Sequence, residues 1–98
     1  MRIYVNGALD VTSSAYSNNL DDGWDNKAFI GLGTGSRFFK GMIDEFSIWN
    51  AKLSLAEVQE LYNDGIPLDA TAHTQASNLV GYWRNNSLTT AGTWEDLS

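Results

Sequence analysis

Ninety-eight residues make at most one modest domain, because a chain this short buries only part of the surface it exposes when unfolded. Four Trp, four Tyr and four Phe exclude a disordered composition, and twelve acidic against six basic residues, a net charge of -6, argue against a nucleic-acid partner. The absence of cysteine removes disulfides, thiolate metal sites and cysteine nucleophiles, and leaves both cytosol and exterior open as compartments. No apolar run approaches the ~20 residues of a membrane helix, and the opening "MRIYVNGALD" has no stretch of signal-peptide length.

The chain starts with a hairpin. Apolar residues flank Asn6-Gly7, the dipeptide best suited to a two-residue type I′ turn, in which both positions take positive φ. Such a turn sets Val5 opposite Ala8 and Tyr4 opposite Leu9, and strict alternation then puts Arg2, Tyr4, Leu9 and Val11 on one face. Residues 12–26, rich in Ser, Asn, Asp and Gly, read as a loop. "KAFIGLG" is a second strand candidate. "RFFKGMIDEFSIWN" is a third and longer one, with a bend expected at Gly41 and a bulge near Asp44.

A helix follows over residues 55–63. Ser54 is its N-cap, Glu57 closes a capping box, and Leu53 and Val58 occupy staple positions. Leu55, Val58, Leu61 and Tyr62 share one face, expected to pack on the end of a sheet layer, and Gly65 with Pro67 ends the helix. Residues 67–78 have the small polar character of a linker, which places the lone histidine, His73, outside any catalytic or metal cluster. "NLVGYWRNN" returns to a strand pattern.

The blocks Ile3-Tyr4-Val5-Asn6-Gly7, Phe29-Ile30-Gly31, residues 41–54 ("GMIDEFSIWNAKLS") and Leu61-Tyr62-Asn63, in this order, resemble the C-terminal half of a laminin-G-like domain of the concanavalin A-like lectin and glucanase superfamily. The resemblance implies a mostly β fold: an antiparallel β-sandwich of jelly-roll type, partial or completed by strand exchange, with one short α-helix. It divides the chain into residues 1–66 as that half-domain, 67–78 as linker, and 79–98 as either the opening strand of a following repeat or a strand folding back on the first part. Strands that a full domain carries before the hairpin are missing from this pattern. Unpaired sheet edges invite self-association, repaired in cis by residues 79–85 lying against residues 41–49 or in trans by pairing two copies.

Several residues carry candidate chemistry. The resemblance makes Asp44 a candidate calcium ligand, since a hard cation collects carboxylate and carbonyl oxygens, with Asp96, Asp21 and Asp22 as further candidates; the competing reading of Asp44 is a carboxylate receiving loop hydrogen bonds or pairing with Arg84 or Lys52. Trp24, Asp25 and Asn26 are candidates for a ligand-binding loop, Trp24 by stacking on a sugar ring; the competing reading is a solvated turn. Asp44 and Glu45, as neighbours on a strand, point to opposite faces and do not converge as glycosidase carboxylates must. Calcium is thus the one cofactor in view. Three functions are compatible: a non-catalytic recognition or adhesion module of a larger extracellular, cell-surface or virion protein, binding glycan or protein; a structural repeat without ligand; and, weakest, a fragment of a glucanase-like enzyme. Nucleic acid and membrane insertion are not expected.

Overall fold

A computed structural model describes residues 1–14, 29–33, 37–85 and 93–98. Strands β1 (Arg2–Val5) and β2 (Ala8–Thr12) form the first hairpin. Its turn is the one Asn-Gly demands, with φ of 51° at Asn6 and 72° at Gly7. Gly7 meets a second requirement: a Cβ there would stand 2.8 Å from Cδ1 of Tyr62, so the turn docks directly on the end of the helix. Val5 opposes Ala8 and Tyr4 opposes Leu9 as expected, but the register then slips, and Ile3 rather than Arg2 opposes Val11. The extra residue is Asp10. The bulge accordingly puts Val11 with Ile3, Val5 and Ala8 on one face and leaves Arg2 with Tyr4 on the other.

The long strand expected across residues 37–50 is interrupted. Arg37–Phe38 (β4) pairs only with Leu32–Gly33 (β3), and pairing resumes in β5 (Phe46–Trp49). The physical cause lies at the acidic pair. Asp44 Oδ1 accepts the backbone N–H of Glu45 (2.8 Å), and Glu45 itself adopts a left-handed φ of 52°, which no strand tolerates. The irregularity anticipated near Asp44 is therefore a complete break.

Helix α1 (Leu55–Tyr62) starts as its sequence dictates: the Glu57 N–H donates to Ser54 Oγ (3.3 Å) and the Ser54 N–H to Glu57 Oε2 (2.6 Å). It ends on Asn63 in the left-handed conformation. Its apolar face is only partly covered, with Val58 and Leu61 half-buried but Leu55 and Tyr62 exposed.

Residues 67–78 differ most from the sequence reading. They are a packed connection rather than a spacer, with two short 3₁₀ turns at Ala70–Ala72 and Ala76–Asn78. The connection delivers β6 (Leu79–Trp83) antiparallel to β5, pairing Phe46 with Trp83, Ser47 with Tyr82 and Ile48 with Gly81. Among the described residues the core sits here, between the β5–β6 ribbon and the connection. Tyr82, Ala70 and His73 are all buried. On the opposite face of the ribbon the Trp83 indole folds back over Gly81, where a Cβ would lie 2.6 Å from it, and packs against Phe46 at 5.7 Å between ring centres. The described strands thus form three two-stranded pieces, not the continuous sheets of a sandwich.

Candidate functional site

The acidic residues that drew attention in the sequence come together around β6. Tyr82 and Arg84 are two residues apart, so both side chains reach the same side of the ribbon. There they converge on Glu45: the Tyr82 hydroxyl donates to Glu45 Oε2, and Arg84 Nε to Glu45 Oε1 at 2.8 Å. Arg84 also donates from Nη1 to Asp69 Oδ2 at 2.9 Å, which ties in the connection. Asp69 in turn caps the 3₁₀ turn, its Oδ1 accepting from the Thr71 N–H (3.0 Å) and hydroxyl (2.6 Å). The Glu45–Arg84 pair is largely shielded, with side chains 20% and 24% exposed, whereas Asp69 is 46% exposed and adds less.

These contacts set the proton affinities. Burial is the main cause that pushes the Tyr82 hydroxyl up to about 12, with the hydrogen bond to Glu45 adding to it. Asp44 is held below the ordinary carboxylate range chiefly by the Asn85 N–H (2.9 Å), then by that of Glu45. Asp96 is lowered by the backbone N–H groups of Ser98 (3.0 Å) and Tyr82 (2.9 Å). Asp69 is lowered first by the Thr71 hydroxyl.

A second cluster joins helix to connection. Glu57 and Glu60, one turn apart, receive the segment His73-Thr74-Gln75: Gln75 Nε2 donates to Glu57 Oε1 (2.6 Å), and the Thr74 N–H and hydroxyl donate to Glu60 (2.9 and 2.7 Å). Glu57 is lowered mainly by the Ser54 N–H and Glu60 mainly by the Thr74 hydroxyl. His73 is fixed between them. Its Nδ1 accepts from the Gln75 N–H (3.0 Å), so Nε2 carries the proton and donates to the Glu57 carbonyl (3.0 Å).

Of the calcium candidates, Asp44 and Asp96 each spend Oδ1 on two backbone N–H groups, and among the described residues no three His, Asp or Glu side chains gather to hold a metal. Asp44 therefore shows the loop hydrogen bonds of its competing reading, while Arg84 pairs with Glu45 and Asp69 instead. Asp21, Asp22, Trp24, Asp25 and Asn26 lie outside the described residues. Sequence reading missed Tyr82, Arg84 and Asp69 as one network, and His73 as a core residue. The available signal was the Tyr-x-Arg spacing at 82 and 84, which puts a cation and a hydroxyl on one face of a strand.

Because five of these carboxyls have lowered proton affinity in the fold, their stabilisation is present above the ordinary carboxylate pKa and is lost as pH falls through the folded value. Tyr82 acts at the other end: its raised value stabilises the fold below pH 10, and that contribution is lost as pH rises toward about 12. The expected melting temperature is level between roughly pH 6 and 9, falling below about pH 4 and above about pH 10. Thermal melts followed by circular dichroism test this; an unchanged melting temperature from about pH 6 down to about pH 3 contradicts it.

The comparisons with known proteins bear on this frame of strands and capped helix. A family model described as the concanavalin A-like lectin/glucanases superfamily, of laminin G type, matches residues 1–59. The chain belongs to this laminin G-like family. No curated protein and no solved structure matches it. The laminin G-like match takes in the hairpin, the break at Asp44 and Glu45, β5 and the capped start of α1, and stops before the connection and β6. The laminin G-like part thus supplies Glu45, while Tyr82, Arg84 and Asp69, which hold it, come from beyond the matched residues.

Proposed function

We propose that this chain is a non-catalytic recognition or adhesion module of a larger extracellular, cell-surface or virion protein, acting through its surface on a glycan or a protein. The observation that carries this reading is the use of the acidic side chains. Asp44, Glu45, Asp69 and Asp96 are all engaged by backbone N–H groups, Tyr82, Thr71 or Arg84 in holding the β5–β6 region together. A hydrolase of the superfamily's fold would need two such carboxyls facing one bond with free lone pairs. Fold alone does not carry function, so family membership supports the class of module and not a ligand. No helix among the described residues is long and apolar enough to cross a membrane. Calcium is kept as an accessory, with Asp44 and Asp96 as the described candidates.

A second reading, a structural or assembly repeat that self-associates, is favoured by one feature. Ile3, Val5 and Val11 lie together on one face of the β1–β2 hairpin and are 43–53% exposed. A glycan array and melts with calcium or chelator separate the readings, since any ligand of the native state raises its melting temperature. A recognition module gives a reproducible array signal. The assembly repeat gives none, and its melting temperature rises with protein concentration instead.

A further inference from the structure

One groove outside the carboxylate network has the chemistry of a ligand site. It lies between β1 and the start of α1, has a volume of about 440 Å³, and is lined by Met1, Arg2, Tyr4, Lys52, Leu53 and Val58. Arg2 and Tyr4, two apart on β1, share the face turned to the helix, and the bulge takes Val11 off that face to the other. Leu53 and Val58, the staple residues that fix the helix entry, are half-buried and supply an apolar wall. Tyr4, also half-buried, adds an aromatic one. Arg2 and Lys52 are exposed, and no acidic group pairs with either among the described residues, although acidic residues outnumber basic ones two to one in the chain. Two of the six basic residues thus stand beside one apolar pocket with no ion-pair partner among the described residues.

We propose that this groove binds a carboxylate-bearing sugar of the uronic-acid type, with Arg2 and Lys52 holding the carboxylate and Tyr4, Leu53 and Val58 facing the apolar side of the ring. The volume suits one or two sugar rings, since sites for small ligands run from about 300 Å³ upward. The guanidinium of Arg2 can take a carboxylate in a two-pronged hydrogen bond, and Lys52 adds a point charge. No metal is needed. The assignment rests on the recognition reading and names its ligand class.

The test titrates digalacturonate into the 15N-labelled full chain, in chelator, and follows amide signals of Tyr4, Leu53 and Val58. The same titration is run with neutral digalactose, with a tetraglutamate peptide, and with the variants Arg2→Gln/Lys52→Gln and Lys52→Glu. Both variants change exposed side chains, and an unchanged melting temperature confirms that they fold. Digalacturonate is expected to shift the three signals, with affinity at least about tenfold lower in the double variant, lower still in Lys52→Glu, and falling as salt rises from about 0.05 to about 0.5 M. Equal binding by wild type and double variant, equal binding of digalactose, or no shift in the wild type each overturns the proposal. Tighter binding of tetraglutamate overturns it in favour of an acidic peptide. A glycan-array signal that survives in the double variant leaves the recognition module standing with its site elsewhere.

Discussion

Truncation after Ser77 is expected to abolish cooperative unfolding. Residues 78–98 contain none of the laminin G-like match, yet they supply Tyr82, the most deeply buried large side chain among the described residues, with no exposed surface. Removing it exposes an aromatic burial worth about 2–3 kcal/mol. The truncation also takes away both donors that hold Glu45, and the Trp83 ring against Phe46. Losing these two hydrogen bonds to a charged carboxylate costs on the order of a further 1–3 kcal/mol, although the freed carboxylate returns to water. The backbone pairing along β5 goes as well. Small domains hold only about 5–15 kcal/mol in total, so losses of this size are a large share of it. The truncated chain should therefore show no sigmoidal melt by circular dichroism and a collapsed dispersion of amide signals. Tyr82→Phe separates packing from hydrogen bonding: it keeps the ring, removes the hydroxyl and should lower the melting temperature by several degrees while leaving the transition cooperative. A truncated chain that melts like the full one would show that β6 does not complete the fold.

What could be read from the sequence follows how local its cause is. The Asn6-Gly7 turn and the Ser54 capping box depend on two to four adjacent residues, and both formed as their types require. The register beyond the turn did not follow, because alternation cannot show that Asp10 is the residue left over between Leu9 and Val11. The long strand failed at Glu45 for a related reason. Besides the local bond from the Glu45 N–H to Asp44, the Glu45 carboxylate is held by Tyr82 and Arg84, some forty residues away, and nothing in "GMIDEFSIW" announces them. The connection misled most, since small polar residues look the same whether solvated or packed. What decides between those states is the pair Glu57 and Glu60, which sits in a different element.

His73 is the residue on which that connection turns, and His73→Ala should cost about 2–4 kcal/mol. Its side chain has no exposed surface, so the substitution opens a cavity beside Trp49, whose ring lies edge-on at 4.9 Å. It also strands the Gln75 N–H, which donates to Nδ1, and removes a donor from the Glu57 carbonyl in the first turn of α1. For a chain of this length a loss of that size lowers the melting temperature by more than about 10 °C. Two further variants divide the effect between the ring nitrogens. His73→Asn places an amide oxygen near the position of Nδ1 and so restores an acceptor for the Gln75 N–H, whereas His73→Gln places an amide N–H near the position of Nε2 and restores the bond to the helix. Each should recover part of the loss. The same changes loosen the Thr74 and Gln75 contacts to Glu60 and Glu57, because His73 fixes where that segment meets the helix. Hydrogen exchange reports this separately from global stability: the Thr74, Gln75 and Asn78 amides should lose protection in His73→Ala before those of β1 and β2 do. An alanine variant that melts within about 2 °C of the wild type, with Thr74 still protected, would mean that the two glutamates hold the connection without the histidine.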